Sequence, residues 1–199
     1  RYARAVGQTF WWPHTRQVHG AVCHAVDAVT DAPLIGDAFV SATPGIVLHI
    51  RTADCLPILW WDPAAAVVGA IHAGWRGLAV GVISAALSHA AKRYGVRPQH
   101  VRAAIGPAIG PQCYEVGDEV LAVLRSAGHD STQIATAASG GKWLVHLAAA
   151  AAEELRRCGV PGDAIACADL CTHCEPALFH SYRRAPGEQG RQVSFIGLC

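Results

Sequence analysis

Three apolar runs, at residues 46–50, 56–61 and 67–71, follow one another closely, and each is too short to make a stable helix. A break at Thr43-Pro44-Gly45 precedes the first and one at Asp62-Pro63 divides the last two, and proline fixes while glycine frees the backbone where strands reverse. These runs predict β-strands joined by tight turns. An earlier segment, 18–29, reads as another strand, with Val22, Val26 and Ala28 among its period-two positions. After Gly77 the period changes: Val80, Ile83, Leu87, Ala90 or Ala91, and Tyr94 recur at helical spacing and stop at Gly95, a residue suited to the left-handed helix cap. A strand at 101–105 then runs into a Gly-Pro loop. A short helix is expected from Asp118, carrying Leu121 and Leu124 to Gly128, with two carboxylates at the positive end of its dipole. A longer helix is expected over 143–158, with Leu144, Leu147, Ala151 and Leu155 on one face, ended by Pro161-Gly162. Strands at 164–168 and 193–198 close the chain. Strands first, then strands alternating with helices, predict an α/β fold with a mixed sheet.

At 199 residues, 52% hydrophobic and 16% charged, residues 1–199 can bury one sizeable core, which predicts a single domain. The formal charge of +1 gives no field to attract nucleic acid or an anionic membrane, so a small-molecule partner is expected, bound by a monomer or homodimer. Arg51, Asp54, Asp62 and His72 interrupt the apolar stretch from Gly45 to Leu78, leaving no run long enough to span a bilayer. Eight cysteines are not needed as staples in a chain that builds its own core, so reduced thiols and a cytoplasmic location are expected. The chain starts at Arg1 and contains no methionine, so an initiator methionine and an N-terminal segment are expected ahead of it. Cys167, Cys171 and Cys174 have a spacing that can hold a metal or cycle as a redox pair, but no second Cys-x2-Cys completes a four-cysteine site. The cluster reads as a turn with partly buried thiols that walls a site.

His19 falls at the start of a predicted strand, Cys55 at the mouth of another, and His72 at the end of a third, just before a glycine-rich turn into a helix. Strand ends and the loops beyond them are where a rigid scaffold aims distant side chains at one point. Two imidazoles and one thiolate are ligand types that hold a catalytic zinc ion and leave a fourth position open, where a bound water ionises near pH ~7. Each ligand alone reads as an ordinary structural histidine or a small hydrophobic cysteine. Gly74-Trp75-Arg76-Gly77 opens the helix, and its N–H groups with the Arg76 guanidinium suit an anion.

The segments Gln17-Val18-His19-Gly20, Thr52-Ala53-Asp54-Cys55-Leu56-Pro57 and Ile71-His72-Ala73-Gly74-Trp75-Arg76-Gly77 resemble the laccase-domain family. That family carries the multi-copper polyphenol oxidase label but acts in purine nucleoside metabolism. The likeness continues through Ile105–Pro111, Cys113-Tyr114-Glu115-Val116-Gly117, Cys171-Thr172 and Phe179-His180-Ser181-Tyr182-Arg183-Arg184 to Gly190-Arg191-Gln192. The resemblance implies a layered α-β-β-α arrangement of two mixed β-sheets flanked by helices. It also implies a zinc ion on His19, Cys55 and His72. The activities it implies are phosphorolysis of adenosine, inosine, guanosine or methylthioadenosine, and deamination of adenosine. Phosphate and nucleoside contacts are expected from Arg51, Arg76, Cys113, Tyr114, Tyr182 and Arg183, with Glu115 as a proton relay.

Two departures accompany the resemblance. The segment that precedes Gln17 in the family is mostly missing, and His146 stands where relatives tend to have aspartate. Other readings of the same residues stay open. Cys55 with His72 or His19 could form a metal-independent nucleophile, its thiolate steadied by nearby Arg51. A copper-dependent oxidase would want an axial methionine and clustered histidines, and methionine is absent. A non-catalytic nucleoside-binding module is the third.

Overall fold

The computed structural model describes every residue except Arg1, Val6, Gly7 and Glu188, with side chains described from Trp11 onward. In chain order its strands are β1 (Tyr2–Ala5), β2 (Gln8–Trp11), β3 (Thr15–Arg16), β4 (Cys23–Ala25), β5 (Leu34–Ile35), β6 (Ala38–Ser41), β7 (Val47–Thr52), β8 (Leu56–Asp62), β9 (Val67–Ala73), β10 (Arg102–Ile105), β11 (Glu115–Val116), β12 (Ala135–Ala137), β13 (Trp143–Val145), β14 (Ile165–Cys167) and β15 (Gln192–Gly197). The helices are α1 (Trp75–Ala79), α2 (Val82–Tyr94), α3 (Asp118–Ser126), α4 (Ser131–Ile134) and α5 (Leu147–Arg157).

Two of the three apolar runs, 56–61 and 67–71, form β8 and β9 at the centre of a six-stranded mixed sheet in the order β14-β10-β8-β9-β6-β4. β9 pairs antiparallel with β8 and β6, while β14 and β4 add parallel edges. Every residue of β9 is buried, as expected of a strand covered on both faces. Alternate side chains explain the two covers. Leu56, Ile58, Trp60, Ile71 and Ala73 point to the face packed by Val82, Ile83, Ala86 and Leu87 of α2 and by Leu147, Ala151 and Leu155 of α5. Phe39, Val68 and Ala70 point the other way, onto Leu48 and Ile50 of β7 and onto Trp11. β7 and β15 form an antiparallel ribbon on this second face, and β11, β13 and β12 form a small sheet beside α3. The α/β class with mixed sheets is therefore what the chain adopts.

One cross-strand pair shows how tightly the sheet is fitted. Trp60 stands opposite Gly69, and a Cβ at 69 would lie 2.1 Å from the indole, so only glycine leaves room for this fully buried ring.

Three sequence expectations are corrected. Only Cys23–Ala25 of the segment 18–29 is a strand; Val18 and Val22 are exposed because the backbone ahead of them turns toward the Asp37 carboxylate. The helix after Gly77 is broken at Gly81, whose left-handed φ of 72° separates α1 from α2, so Val80 faces solvent while Gly95 does cap α2 with φ 72°. Residues 143–145 are not the first turn of the long helix. They form β13, held between β11 and β12, with Trp143 Nε1 donating to Asp118 Oδ1 at 2.5 Å, and α5 starts at Leu147. All eight cysteines are free thiols. No described helix is long and apolar enough to cross a membrane.

Candidate active site

The register of the central sheet places the first two ligands. β6 and β9 pair with Ala38 opposite Ile71, so Asp37 and His72 face each other one step further along, on the same side of the sheet. His72 N donates to Asp37 O at 2.7 Å, and His72 Nδ1 donates to Asp37 Oδ1 at 2.8 Å. That bond fixes the ring and leaves Nε2 as the coordinating nitrogen, the arrangement by which an outer carboxylate orients a metal-binding histidine. On the other neighbour of β9, Leu56 pairs with Ala73, which sets Cys55 beside Gly74. A Cβ at 74 would stand 2.7 Å from Cys55 Sγ and 3.3 Å from the His19 ring, so a glycine is needed for the sulfur to reach its place.

The same Asp37 places the third ligand. Its carboxylate accepts from Val18 N at 3.1 Å, His19 N at 2.9 Å and Gly20 N at 2.8 Å, a concave run of amides closed around one anion. His19 adopts a left-handed φ of 60°, uncommon for a residue with a side chain, and these three bonds hold it there. Gln17 pins the loop from behind, its Nε2 donating to Arg51 O at 2.8 Å and its Oε1 accepting from Arg51 N at 2.9 Å.

His19 Nε2 thereby lies 3.8 Å from Cys55 Sγ, and the His19 and His72 rings meet edge to face with centroids 4.8 Å apart. One donor atom from each of His19, Cys55 and His72 falls within 4.8 Å of the others. His72 is buried, Cys55 half-buried and His19 exposed, so the cluster runs from the floor of the site to its rim.

Burial would push the Cys55 thiol up, but the His19 and His72 rings outweigh it and bring it down to about 7. Burial would lower His72, yet the Asp37 carboxylate and the Cys55 sulfur raise it to about 9. For Asp37, burial works upward, and the bonds from His72 and the three backbone amides hold it below the usual carboxylate range. Two imidazoles and a sulfur that ionises easily make a donor set that fits a metal ion.

The cluster opens into a cavity of about 840 Å³. Arg16, Arg51, Arg76, Arg183 and Arg191 line it, against one carboxylate among the described residues, that of Asp54, in a chain whose formal charge is only +1. Such a concentration of one sign in a cleft focuses its field on anions. Trp75, Tyr114 and Tyr182 supply aromatic faces. The Arg76 guanidinium stacks 4.4 Å over the Trp75 ring and that of Arg183 stands 5.1 Å over Tyr114. Burial and then the nearby Cys55 charge push the Tyr114 phenol up to about 12, so it stays a neutral donor.

Of the contacts expected from sequence, Arg51, Arg76, Tyr114, Tyr182 and Arg183 line this cavity and Cys113 does not. The Cys113 sulfur turns instead to Cys174 at 3.3 Å. Glu115 is also outside, paired with Lys142 at 2.7 Å. His146 precedes α5 without a side-chain capping bond and borders a second cavity of about 230 Å³, with Cys167 and Cys171.

Two acids were missed by sequence reasoning in the roles they take. Asp37 has one faint signal, a carboxylate leading directly into the apolar Ala38-Phe39-Val40. Asp54 enters the sequence reading only as one of the charges that interrupt an apolar stretch. Its Oδ1 accepts from Thr172 Oγ1 at 2.6 Å and its Oδ2 from Arg183 N at 2.8 Å, so it draws the C-terminal Cys-Thr and Tyr-Arg segments onto the cavity wall.

Several known proteins resemble this chain. A purine nucleoside phosphorylase of Deinococcus radiodurans is 41% identical over 182 residues, covering 92% of this chain and 68% of its own length. The purine nucleoside phosphorylase YlmD of Geobacillus stearothermophilus is 36% identical over 197 residues, covering 94% and 72%. Among solved structures, the Bacillus licheniformis hypothetical protein YfiH superposes with a TM-score of 0.88 at 33% identity, covering 94% of this chain and 74% of that one. YlmD from G. stearothermophilus superposes with a TM-score of 0.86 at 36% identity, covering 94% and 73%. The sequence profile described as multi-copper polyphenol oxidoreductase laccase matches residues 1–199, and with relatives this similar the chain belongs to that family.

Proposed function

We propose that this chain is a zinc-dependent purine nucleoside enzyme, carrying out phosphorolysis of adenosine, inosine, guanosine or methylthioadenosine and hydrolytic deamination of adenosine. The observation that carries the reading is the meeting of His19, Cys55 and His72 in an arginine-lined cavity. Relatives named purine nucleoside phosphorylase support the reaction class. The residues that would hold the ion are His19, Cys55 and His72, and when bound, zinc supplies Lewis-acid polarisation of an oxygen nucleophile.

The chain's own groups do the rest. Arg51 and Arg76 at the rim attract phosphate and orient an oxygen toward the ribose carbon, while Tyr182 offers a face on which a purine stacks. In phosphorolysis the new bond joins that oxygen to C1′, the bond from C1′ to the purine nitrogen breaks, and the base takes up a proton as it leaves. In deamination water adds at C6 and ammonia departs, with no phosphate consumed. Asp37 holds the His72 proton on Nδ1 throughout.

Cys55 also supports a second reading, a thiolate nucleophile paired with an imidazole, because its sulfur sits 3.8 Å from His19 Nε2 and faces the cavity. Copper oxidase chemistry is poorly served. The chain has no methionine, and among the described residues the other candidate ligand cluster holds one histidine. The enzyme works on small molecules, as a monomer or homodimer, in the cytoplasm.

The test is metal analysis of the purified protein together with product detection from adenosine, with and without phosphate. Free base plus ribose-1-phosphate supports phosphorolysis, and inosine supports deamination. Neither product refutes both and leaves a binding module. Cys55→Ala should lose the metal of this centre and all turnover. Activity that survives thorough chelation yet dies on alkylation of Cys55 would establish the thiol mechanism instead.

A further inference from the structure

Behind the wall of the main cavity lies a second convergence of soft ligands. Ligand atoms of Cys113, His173 and Cys174 lie within 4.8 Å of one another, although Cys113 and Cys174 are 61 residues apart in sequence. Cys171 belongs to the same turn just outside that group, and its sulfur accepts from Gly110 N at 3.1 Å. We propose that Cys113, Cys171, His173 and Cys174 form a second zinc site, structural in kind, that clamps the loop after Gly110 to the loop around Thr172.

Two features argue for it. Cys171-x2-Cys174 has the ligand spacing of structural zinc sites, in which four protein ligands close the coordination shell. Two sulfurs each ~2.3 Å from one tetrahedral ion stand roughly 3.8 Å apart. The observed 3.3 Å between Cys113 and Cys174 is close to that edge and well beyond the roughly 2.05 Å of a disulfide.

The position gives the ion a use. Tyr114, next to Cys113, lines the main cavity, and Thr172, between Cys171 and His173, donates to Asp54 at 2.6 Å. Arg184 Nη1 donates to Thr172 O at 2.7 Å and His173 O at 3.0 Å, tying the same loop to the Tyr182-Arg183 segment. A clamp at this point fixes two cavity walls without touching the substrate.

The test is zinc stoichiometry of the reduced, anaerobically purified chain by elemental mass spectrometry, on the parent, Cys55→Ala, and the double variant Cys113→Ser/Cys174→Ser. Cys55→Ala should keep about one zinc per chain, and adding the serine pair should remove it. Should the serine variant fail to fold, cobalt-loaded Cys55→Ala provides the readout. Intense sulfur-to-cobalt charge-transfer bands are expected, and their absence overturns the site. Zinc-free Cys55→Ala overturns it too, as does a Cys113–Cys174 disulfide found by peptide mapping of that anaerobic sample. The result is separable from the reading of the main cavity, because zinc retained in Cys55→Ala does not depend on the first centre binding any.

Discussion

Replacing Asp37 by asparagine keeps the outline of the side chain and removes its charge, at a residue with no exposed surface. If the amide oxygen takes the place of Oδ1, it still accepts from His72 Nδ1 and His19 N, but the NH2 group then meets Gly20 N, which had donated to Oδ2 at 2.8 Å. One charge-assisted bond is lost, worth ~1.5–3 kcal/mol, and a donor is left facing a donor. The remaining bonds weaken with the charge, so a total cost of about 2–4 kcal/mol is expected. For a chain of this size that lowers Tm by roughly 4–16 °C. Loss of an outer carboxylate that orients a ligand should also weaken zinc binding by about 10–100-fold. Differential scanning fluorimetry in chelator reads the first effect and competition against a chromophoric chelator reads the second. A Tm within 2 °C of the parent, taking roughly the lower limit for one kcal/mol, would refute the energetic argument. A lowered Tm with unchanged zinc affinity would show that Asp37 braces the His19 loop without orienting His72.

Three further outcomes are expected. Gly69→Ala puts a methyl group against the Trp60 indole and should destabilise the chain by about 1–3 kcal/mol or more, read as a lower urea midpoint at unchanged slope. Burial raises the Glu154 carboxyl, so its contribution is fully present below its unfolded pKa and is lost as pH rises through the folded one. Glu154→Gln should therefore match the parent near pH 4 and exceed its Tm near pH 8, and a pH-independent difference would contradict this. Arg76→Ala removes an exposed guanidinium and should leave Tm unchanged while lowering phosphate-dependent kcat/KM about 10–100-fold, as expected for one charge-assisted bond to an anion.

The parts of the site legible in the sequence were those announced by local pattern. His72 follows an apolar run that could only be a strand, and Cys55 precedes another, so both were expected at strand ends. Asp37 was not legible, because its importance comes from standing opposite His72 across a β6–β9 register that no local spacing encodes. The segment 18–29 failed as a strand for the same reason: the apolar alternation of Val22 and Val26 is real, but the Asp37 carboxylate captures the amides a strand would have used. Trp143 and Leu144 fit the period of the following helix and still became a strand, since β11 and β12 offered backbone partners from both sides. The cysteine cluster was half legible. Its Cys171-x2-Cys174 core could be seen, whereas Cys113 joins only through the fold, and Cys167 stands outside the group.

Because one carboxylate holds both the His19 loop and the His72 ring, occupancy of the main centre and stability of the fold are linked, and the link can be measured. An ion that binds only the folded chain stabilises it by about 2.7 kcal/mol at one hundred times its Kd. For a chain of this length that is a Tm rise of roughly 5–11 °C. The parent should show this rise on adding zinc to chelated protein. Cys55→Ala should lose the share due to the main centre and keep the share due to Cys113, Cys171, His173 and Cys174, while the serine pair should do the reverse. Asp37→Asn should shrink the first share and leave the second alone, since its bonds reach His72 and the 18–20 loop but not the 171–174 turn. Equal shrinkage of both shares would mean that the two clusters respond to a general loosening of the chain, and the separate roles argued for Asp37 and for the cysteine clamp would fall together.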